Sequence, residues 1–158
     1  PAARERRGAF VTLDAGGALR GCIGHIGADR PLAEVVRTMA VAAARDDPRF
    51  DPVAPDELPG LRIEISILTA PAALVPVLAE RITIGRDGLL VRRGRAMGLL
   101  LPRVASECQW GPDAFLAATC RKAGLAPEAW REPGTQVFTF QADVFGETGE
   151  EGGGMGEA

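Results

Sequence analysis

Apolar and polar residues alternate along several short stretches of this chain, the pattern that a β-strand with one buried face produces. The clearest stretch is 61–69, in which leucine and isoleucine alternate with polar residues. Stretches 8–13 and 18–25 flank an Asp-Ala-Gly-Gly turn and therefore predict a β-hairpin. Further short strands are expected at 82–84, 88–92 and 96–101, and a closing strand is expected at 136–145.

Apolar residues at helical spacing predict helices between some of these strands. Segment 31–47 carries apolar residues three and four positions apart and is bounded by prolines. Two shorter helices are expected at 102–107 and 112–123. Helices and strands do not alternate regularly, and the hairpin implies antiparallel pairing. We therefore predict an α+β fold, mainly an antiparallel sheet flanked by helices.

The length of 158 residues suits one domain, expected over residues 1–147, followed by a Gly- and Glu-rich disordered tail at 148–158. A net charge of −3 argues against nucleic acid as the partner, because phosphate-binding proteins usually carry a basic field. No apolar run approaches the roughly 18 residues of a spanning helix, so no membrane segment is expected. Three cysteines without paired spacing favour a reducing, cytoplasmic location over a disulfide framework.

The run Leu-Arg-Gly-Cys-Ile-Gly at 19–24 places a thiol beside a permanent cation. On a regular strand Arg20 and Cys22 point to the same face, about 7 Å apart along the backbone. Nearby positive charge favours the thiolate, and Gly21 and Gly24 would let a ligand or another strand approach the backbone closely. The same residues also fit a half-buried strand cysteine with a surface arginine, and that alternative stays open.

Other polar residues are candidates to share this site. Glu64 and Ser66 lie on the polar side of the clearest predicted strand. They would supply a carboxylate and a hydroxyl if that side packs beside Cys22, and would otherwise form a solvated face. Arg49 is a candidate to bind an anionic ligand, or simply pairs with a nearby acid. His25 is the only histidine, but strand alternation sends it to the face opposite Cys22.

Metal and cofactor signatures are absent from the sequence. The cysteines and the histidine lack the CxxC or HxxxH spacing of metal sites. The glycines show no phosphate-loop or dinucleotide fingerprint. We therefore expect no metal and no cofactor.

Several segments, in order, resemble the AMMECR domain family, also called AmmeMemoRadiSam system protein A. The resemblance runs from about residue 8 to 147, and its most specific part is the hexamer at 19–24. The other segments are Gly-Ala-Phe-Val-Thr-Leu at 8–13, Asp-Pro-Arg-Phe at 47–50, Leu-Arg-Ile-Glu-Ile-Ser-Ile-Leu at 61–68, Gly-Leu-Leu-Leu-Pro at 98–102 and Cys-Arg-Lys-Ala-Gly-Leu at 120–125.

The resemblance implies an α+β fold with two lobes and a cleft between them, and an activity that is not established. It maps the suspected functional cysteine of the family onto Cys22, the neighbouring arginine onto Arg20 and an acid onto Glu64. It also implies association with a Memo-type protein and a radical SAM protein. Family members usually carry a further helical segment before the first strand, so we expect that packing element to be missing here or supplied by a neighbour.

Two functions follow as hypotheses. In the first, a small molecule or peptide bound in the cleft undergoes cysteine-dependent group transfer or hydrolysis. Cys22 is then the nucleophile, Arg20 its electrostatic partner and anion clamp, and Glu64 the proton acceptor. The residues expected to bind the substrate are Gly21, Gly24, Arg49 and Ser66. In the alternative, the protein is a non-catalytic adaptor or scaffold for the Memo-type and radical SAM partners, and the cysteine is structural.

Overall fold

The computed structural model describes residues 2–147, which divide into two compact units. The first comprises residues 2–70 with 143–147, and the second comprises residues 71–142. Each unit contains a four-stranded sheet, and helices flank the sheets. The predicted α+β class with antiparallel sheets is confirmed. The cleft that the resemblance implies stays a prediction.

The regular elements follow one another along the chain with short connections. In chain order they are β1 (Ala9–Ala15), β2 (Ala18–His25), α1 (Leu32–Arg45), β3 (Leu61–Leu68), β4 (Ala72–Ala73), β5 (Gly88–Arg93), β6 (Ala96–Leu100), α2 (Pro102–Glu107), α3 (Pro112–Lys122), β7 (Gln136–Phe140) and β8 (Ala142–Gly146). The strand order is β2-β1-β3-β8 in the first sheet and β4-β7-β5-β6 in the second.

In the first unit, one face of the sheet packs against α1. Alternate residues of β1 point to this face and are buried, because neighbouring side chains on a strand point to opposite sides. They meet an apolar stripe on α1, whose members recur three and four residues apart. The buried residues of this core are Ala9, Val11, Leu13, Leu32, Val35, Met39 and Ala43.

Gly21 lies where α1 crosses β2 at backbone distance. A Cβ atom at this position would collide with the carbonyl oxygen of Ala43. Only glycine lets the helix come this close to the strand. The sequence correctly marks Gly21 as a point of close approach, but the approaching group is the chain's own helix. Its packing role therefore replaces the predicted contact with a ligand.

The second unit has its own core, built from β5, β7 and α3. Its largest fully buried side chains include Phe115 and Leu116 of α3 and Leu89 and Val91 of β5. Cys120 is also fully buried in this cluster, as its place on the apolar stripe of the helix predicts. None of these side chains is available to a ligand in the folded unit.

Two strand predictions are wrong. Segment 82–84 is a turn that wraps the buried carboxylate of Asp87, to which the Thr83 N–H donates a 2.8 Å hydrogen bond. The predicted single strand 136–145 is two strands, β7 in the second sheet and β8 in the first. Gln141 separates them, and its side-chain Nε2 donates to Asp87 across 2.8 Å. The alternating pattern continues through the break, so it cannot reveal the change of sheet.

The predicted Gly- and Glu-rich tail at 148–158 lies outside the described residues. Within 2–147, none of the helices combines the length and the apolar character needed to cross a bilayer.

Candidate functional site

A β-bulge in the first hairpin decides which face of the sheet carries the thiol. The turn uses Gly16 and Gly17, both with positive φ, so the strands first pair as Ala15 with Ala18. The register then shifts by one residue, and Arg20 is the extra residue without a partner on β1. Without this shift Cys22 would lie opposite a core residue on the face that α1 covers. With it, Cys22 lies opposite Thr12, on the other face.

Thr12 joins two of the predicted site residues into one row across the sheet. It is directly opposite Cys22 on β2 and directly opposite Glu64 on β3. Opposite residues share a face, so thiol, hydroxyl and carboxylate follow one another across three strands, about 10 Å from first to last backbone. The Thr12 Oγ1 lies 3.2 Å from the Cys22 Sγ, within hydrogen-bonding distance, and the thiol is half-buried.

The neighbouring row on the same face contains Gly24, Phe10 and Ser66. The ring of Phe10 occupies the space where a Cβ of Gly24 would lie. Gly24 thus admits an aromatic side chain of the same chain, where the sequence predicts a ligand. Ser66 is buried, and its Oγ has no hydrogen-bond partner among the described residues. Buried hydroxyls without a partner are rare in folded proteins.

Asp47 fastens the end of α1 to the segment that carries the thiol. Its carboxylate is buried and accepts a 2.9 Å hydrogen bond from the Cys22 backbone N–H, which points away from β1 at the sheet edge. It also accepts hydrogen bonds from the Arg49 backbone N–H and, at 3.0 and 2.7 Å, from Nε and Nη2 of that guanidinium. The guanidinium bonds, followed by the two backbone bonds, hold the pKa of Asp47 far below its usual range despite its burial.

Arg49 is the cation near the thiol. Its pKa is raised, first by its hydrogen bonds to Asp47 and then by the negative charge of that carboxylate. The guanidinium lies over the Phe50 ring, 5.4 Å from its centroid. The side chain is 53% exposed, although Asp47 holds it on one side.

Arg20, which the sequence pairs with Cys22, has its guanidinium on Glu57. Its Nε and Nη2 donate to the two carboxylate oxygens across 2.9 and 3.2 Å, and its Nη1 donates to the Asp51 carbonyl. The pKa of Glu57 is lowered, first by these bonds. These bonds hold the loop after α1 against β2.

His25 lies on the opposite face from Cys22, as strand alternation predicts. Its Nε2 is 2.5 Å from the Asp29 Oδ1. Residues 2–147 contain no group of three or more His, Cys, Asp or Glu side chains placed to bind a metal ion. The polar side chains that the two rows described above bring to this face are the Cys22 thiol, the Thr12 hydroxyl, Glu64 and Ser66.

Sequence reasoning missed Thr12 and Glu57. Thr12 was inside a predicted strand, but only the bulged register places it opposite Cys22. The alternative that Arg49 pairs with a nearby acid is confirmed, and the acid is Asp47. Its bond to Cys22 spans 25 residues and has no local signal.

Comparison with known proteins places the chain in a family. The AMMECR1 family model matches residues 1–145. A protein from Methanothermobacter thermautotrophicus is 49% identical over 150 residues, which cover 92% of this chain and 78% of that protein. Protein TK0174 from Thermococcus kodakarensis is 47% identical over 152 residues, covering 90% of this chain and 74% of its own length. The crystal structure of the uncharacterized protein PH0010 from Pyrococcus horikoshii matches all of this chain and 81% of that one, with a TM-score of 0.90 at 40% identity. The chain therefore belongs to the AMMECR1 family.

Proposed function

We propose that the face of β1, β2 and β3 opposite α1 binds a small molecule or peptide and transfers a group through Cys22. The observation that carries this proposal is the hydrogen bond between Thr12 and the Cys22 thiol, in one row with Glu64. A nucleophilic thiol needs a neighbour that can accept its proton. This row supplies a hydroxyl at hydrogen-bonding distance and a carboxylate on the next strand.

The chemistry that fits these groups is acyl transfer through a thioester. The proton of the Cys22 thiol passes through the Thr12 hydroxyl to Glu64, and sulfur forms a bond to the acyl carbon. The bond from that carbon to the leaving group breaks, and the leaving group takes the proton from Glu64. Water or a second acceptor then displaces the thiol and releases the acyl group.

Two further residues support substrate binding on this face. Ser66 presents a buried hydroxyl without a partner among residues 2–147, one row away from the thiol. A polar group of a substrate would satisfy it, which is worth about 1–3 kcal/mol for a buried group. Arg49 supplies a positive charge near Cys22, held by the same Asp47 carboxylate that binds the Cys22 backbone. Arg20 enters the proposal through Glu57, as the residue that positions the loop carrying Arg49.

The proposal is tested by measuring how fast each cysteine reacts with iodoacetamide, using mass spectrometry of the labelled peptides. Cys108 is exposed and Cys120 is buried, so they provide internal references within the same molecule. We expect Cys22 to react faster than a small model thiol at neutral pH, and Thr12→Val to slow it. A Cys22 that reacts no faster than the model thiol would overturn the proposal.

The adaptor function is a second candidate, favoured by the structural contacts of the same segment. The Cys22 backbone is bound by Asp47, and the adjacent Gly21 lies against α1, so this segment shapes the unit independently of the thiol. A structural cysteine would fit a scaffold for a Memo-type protein and a radical SAM protein, partners that the family resemblance supports. In cells, Cys22→Ser should then retain both partners and full function, whereas a nucleophile would lose function.

A further inference from the structure

The guanidinium of Arg49 presents a second hydrogen-bonding fork that the protein does not use. A guanidinium has five N–H groups. The Asp47 carboxylate accepts hydrogen bonds from Nε and from one N–H of Nη2, along one edge of the planar guanidinium. Both N–H groups of Nη1 and the second one of Nη2 have no partner among residues 2–147. One N–H of Nη1 and the second N–H of Nη2 lie parallel at the end of the guanidinium and form a fork that can bind a carboxylate bidentately.

Asp47 and Phe50 fix the orientation of this fork, and Asp47 is itself fixed by backbone hydrogen bonds. Asp47 is buried, and the N–H groups of Cys22 and Arg49 also bind its carboxylate. The Phe50 ring supports the guanidinium from its face. The carboxylate that fixes the arginine also binds the backbone of the reactive cysteine, so thiol and fork share one support. Such preorganisation lowers the entropic cost of binding a ligand.

Arg20 shows what an arginine with only a structural role looks like in this unit. All three of its nitrogens donate to Glu57 or to the Asp51 carbonyl, and its side chain is 17% exposed. Arg49 has the same bidentate contact with a carboxylate, yet its Nη1 has no partner among residues 2–147 and its side chain is 53% exposed. Of the two arginines beside Phe50, Arg49 is the more exposed and makes side-chain hydrogen bonds to one carboxylate only.

We infer that the substrate of the site proposed above carries a carboxylate, which the outer fork of Arg49 binds while Cys22 attacks the reacting carbon. This assignment rests on the proposed function and adds the substrate class to it. A monoanion with two coplanar oxygens matches one planar fork. A phosphate dianion carries a second negative charge and would be better matched by more than one cation. The carboxylate belongs either to a small acid or to a peptide.

The test compares two alkylating agents of nearly equal size, iodoacetate and iodoacetamide, on the full chain. With either reagent the sulfur forms a bond to the methylene carbon, the carbon–iodine bond breaks, iodide leaves, and the thiol proton goes to a base or to solvent. Only iodoacetate carries a carboxylate. The ratio of its rate to that of iodoacetamide is measured at Cys22 and divided by the same ratio at the exposed Cys108.

We expect this normalised ratio to be about ten, equivalent to about 1.4 kcal/mol, and to fall as salt screens the half-exposed guanidinium. Arg49→Gln should bring it to within about twofold of one, and Arg49→Lys, which keeps the charge without the fork, should be intermediate. Arg62→Gln is the matched control. It removes an exposed arginine from the same sheet face and should leave the ratio unchanged. Circular dichroism confirms that each variant is folded.

The wild-type ratio needs no substitution, so the inference can fail independently of any folding defect. A ratio near one at a reactive Cys22 refutes the carboxylate and leaves the thiol site standing. A Cys22 that reacts with neither reagent removes both. Protection of Cys22 from iodoacetamide by acetate assigns the carboxylate to a small acid. Protection by acetyl-trialanine, but not by acetate or by the amide of the same peptide, assigns it to a peptide.

Discussion

Replacing Asp47 with asparagine should destabilise the protein far more than the same change at Glu57. Both carboxylates accept two side-chain hydrogen bonds from an arginine and at least one backbone N–H. They differ in exposure, because the side chain of Asp47 is 3% exposed and that of Glu57 is 37% exposed. The arginine contacts are alike, but Asp47 accepts a second backbone N–H and is the more buried carboxylate of the two.

The expected loss at Asp47 follows from the four donors around its carboxylate. An asparagine amide offers one oxygen, so about half of the hydrogen bonds are lost and an NH₂ group faces the remaining donors. Losing the charge-assisted bond to the half-buried Cys22 N–H costs about 1.5–3 kcal/mol. Water rehydrates the exposed guanidinium of Arg49, so losing its ion pair with Asp47 costs only about 0–1 kcal/mol of stability. We expect Asp47→Asn to lower the free energy of unfolding by about 2–4 kcal/mol.

Urea unfolding followed by circular dichroism measures this difference. The midpoint should fall for Asp47→Asn with little change in the slope, since the surface exposed on unfolding is the same. Glu57→Gln should lower the midpoint by a smaller amount, because the Glu57 carboxylate is 37% exposed and the amide oxygen still accepts a hydrogen bond. Equal losses for the two variants would refute the idea that burial of Asp47 anchors the Cys22 segment.

Two other predictions concern the same unit. The pKa of Asp47 is lower in the folded than in the unfolded chain, so its stabilisation is complete above about pH 4 and is lost as the pH falls through the folded pKa. The gap between the urea midpoints of wild type and Asp47→Asn should thus be constant from about pH 7 to pH 5 and narrow below about pH 4; a gap that widens on acidification would contradict the assigned ion pair. Gly21→Ala should cost about 1–3 kcal/mol through collision with Ala43, measured by the same unfolding assay. Gly60→Ala, where a Cβ enters open space, is its control and should change stability by less than about 0.5 kcal/mol, so equal effects would show that close packing at Gly21 is unimportant.

The sequence predicted the elements whose burial imposes a regular spacing. Strand β3 and helix α1 have strong periodicities, because one face of each packs against the same core, and both are confirmed within about two residues. Segment 82–84 fails because three apolar-rich residues do not define a period. The single strand expected at 136–145 fails because both halves alternate, and only tertiary contacts such as that of Gln141 with Asp87 mark the break.

The candidate site was predicted in its residue types more than in its contacts. The thiol, Glu64 and Ser66 were selected from alternation, and they do share one face. The partner of Arg20 lies 37 residues away in sequence, so no local pattern could show that Glu57 engages it. Alternation also predicts that Leu19 and Ile23 lie on the same face of β2. The bulge instead puts Leu19 opposite Asp14, on the face that carries Cys22. A single inserted residue reverses such assignments because the strand period is two.

The chain passes from the first unit to the second after residue 70 and returns at residue 143, so the last strand belongs to the sheet that the first strand begins. A frameshift or protease cut just beyond Phe140 would leave every strand of the second sheet in place. It would nevertheless remove β8 from the edge of β3, together with the hydrogen bonds between Glu147 and the Ile63 backbone. The newly bared edge would offer a row of amides to other chains, and aggregation would begin in the amino-terminal half of a molecule damaged at its carboxyl terminus.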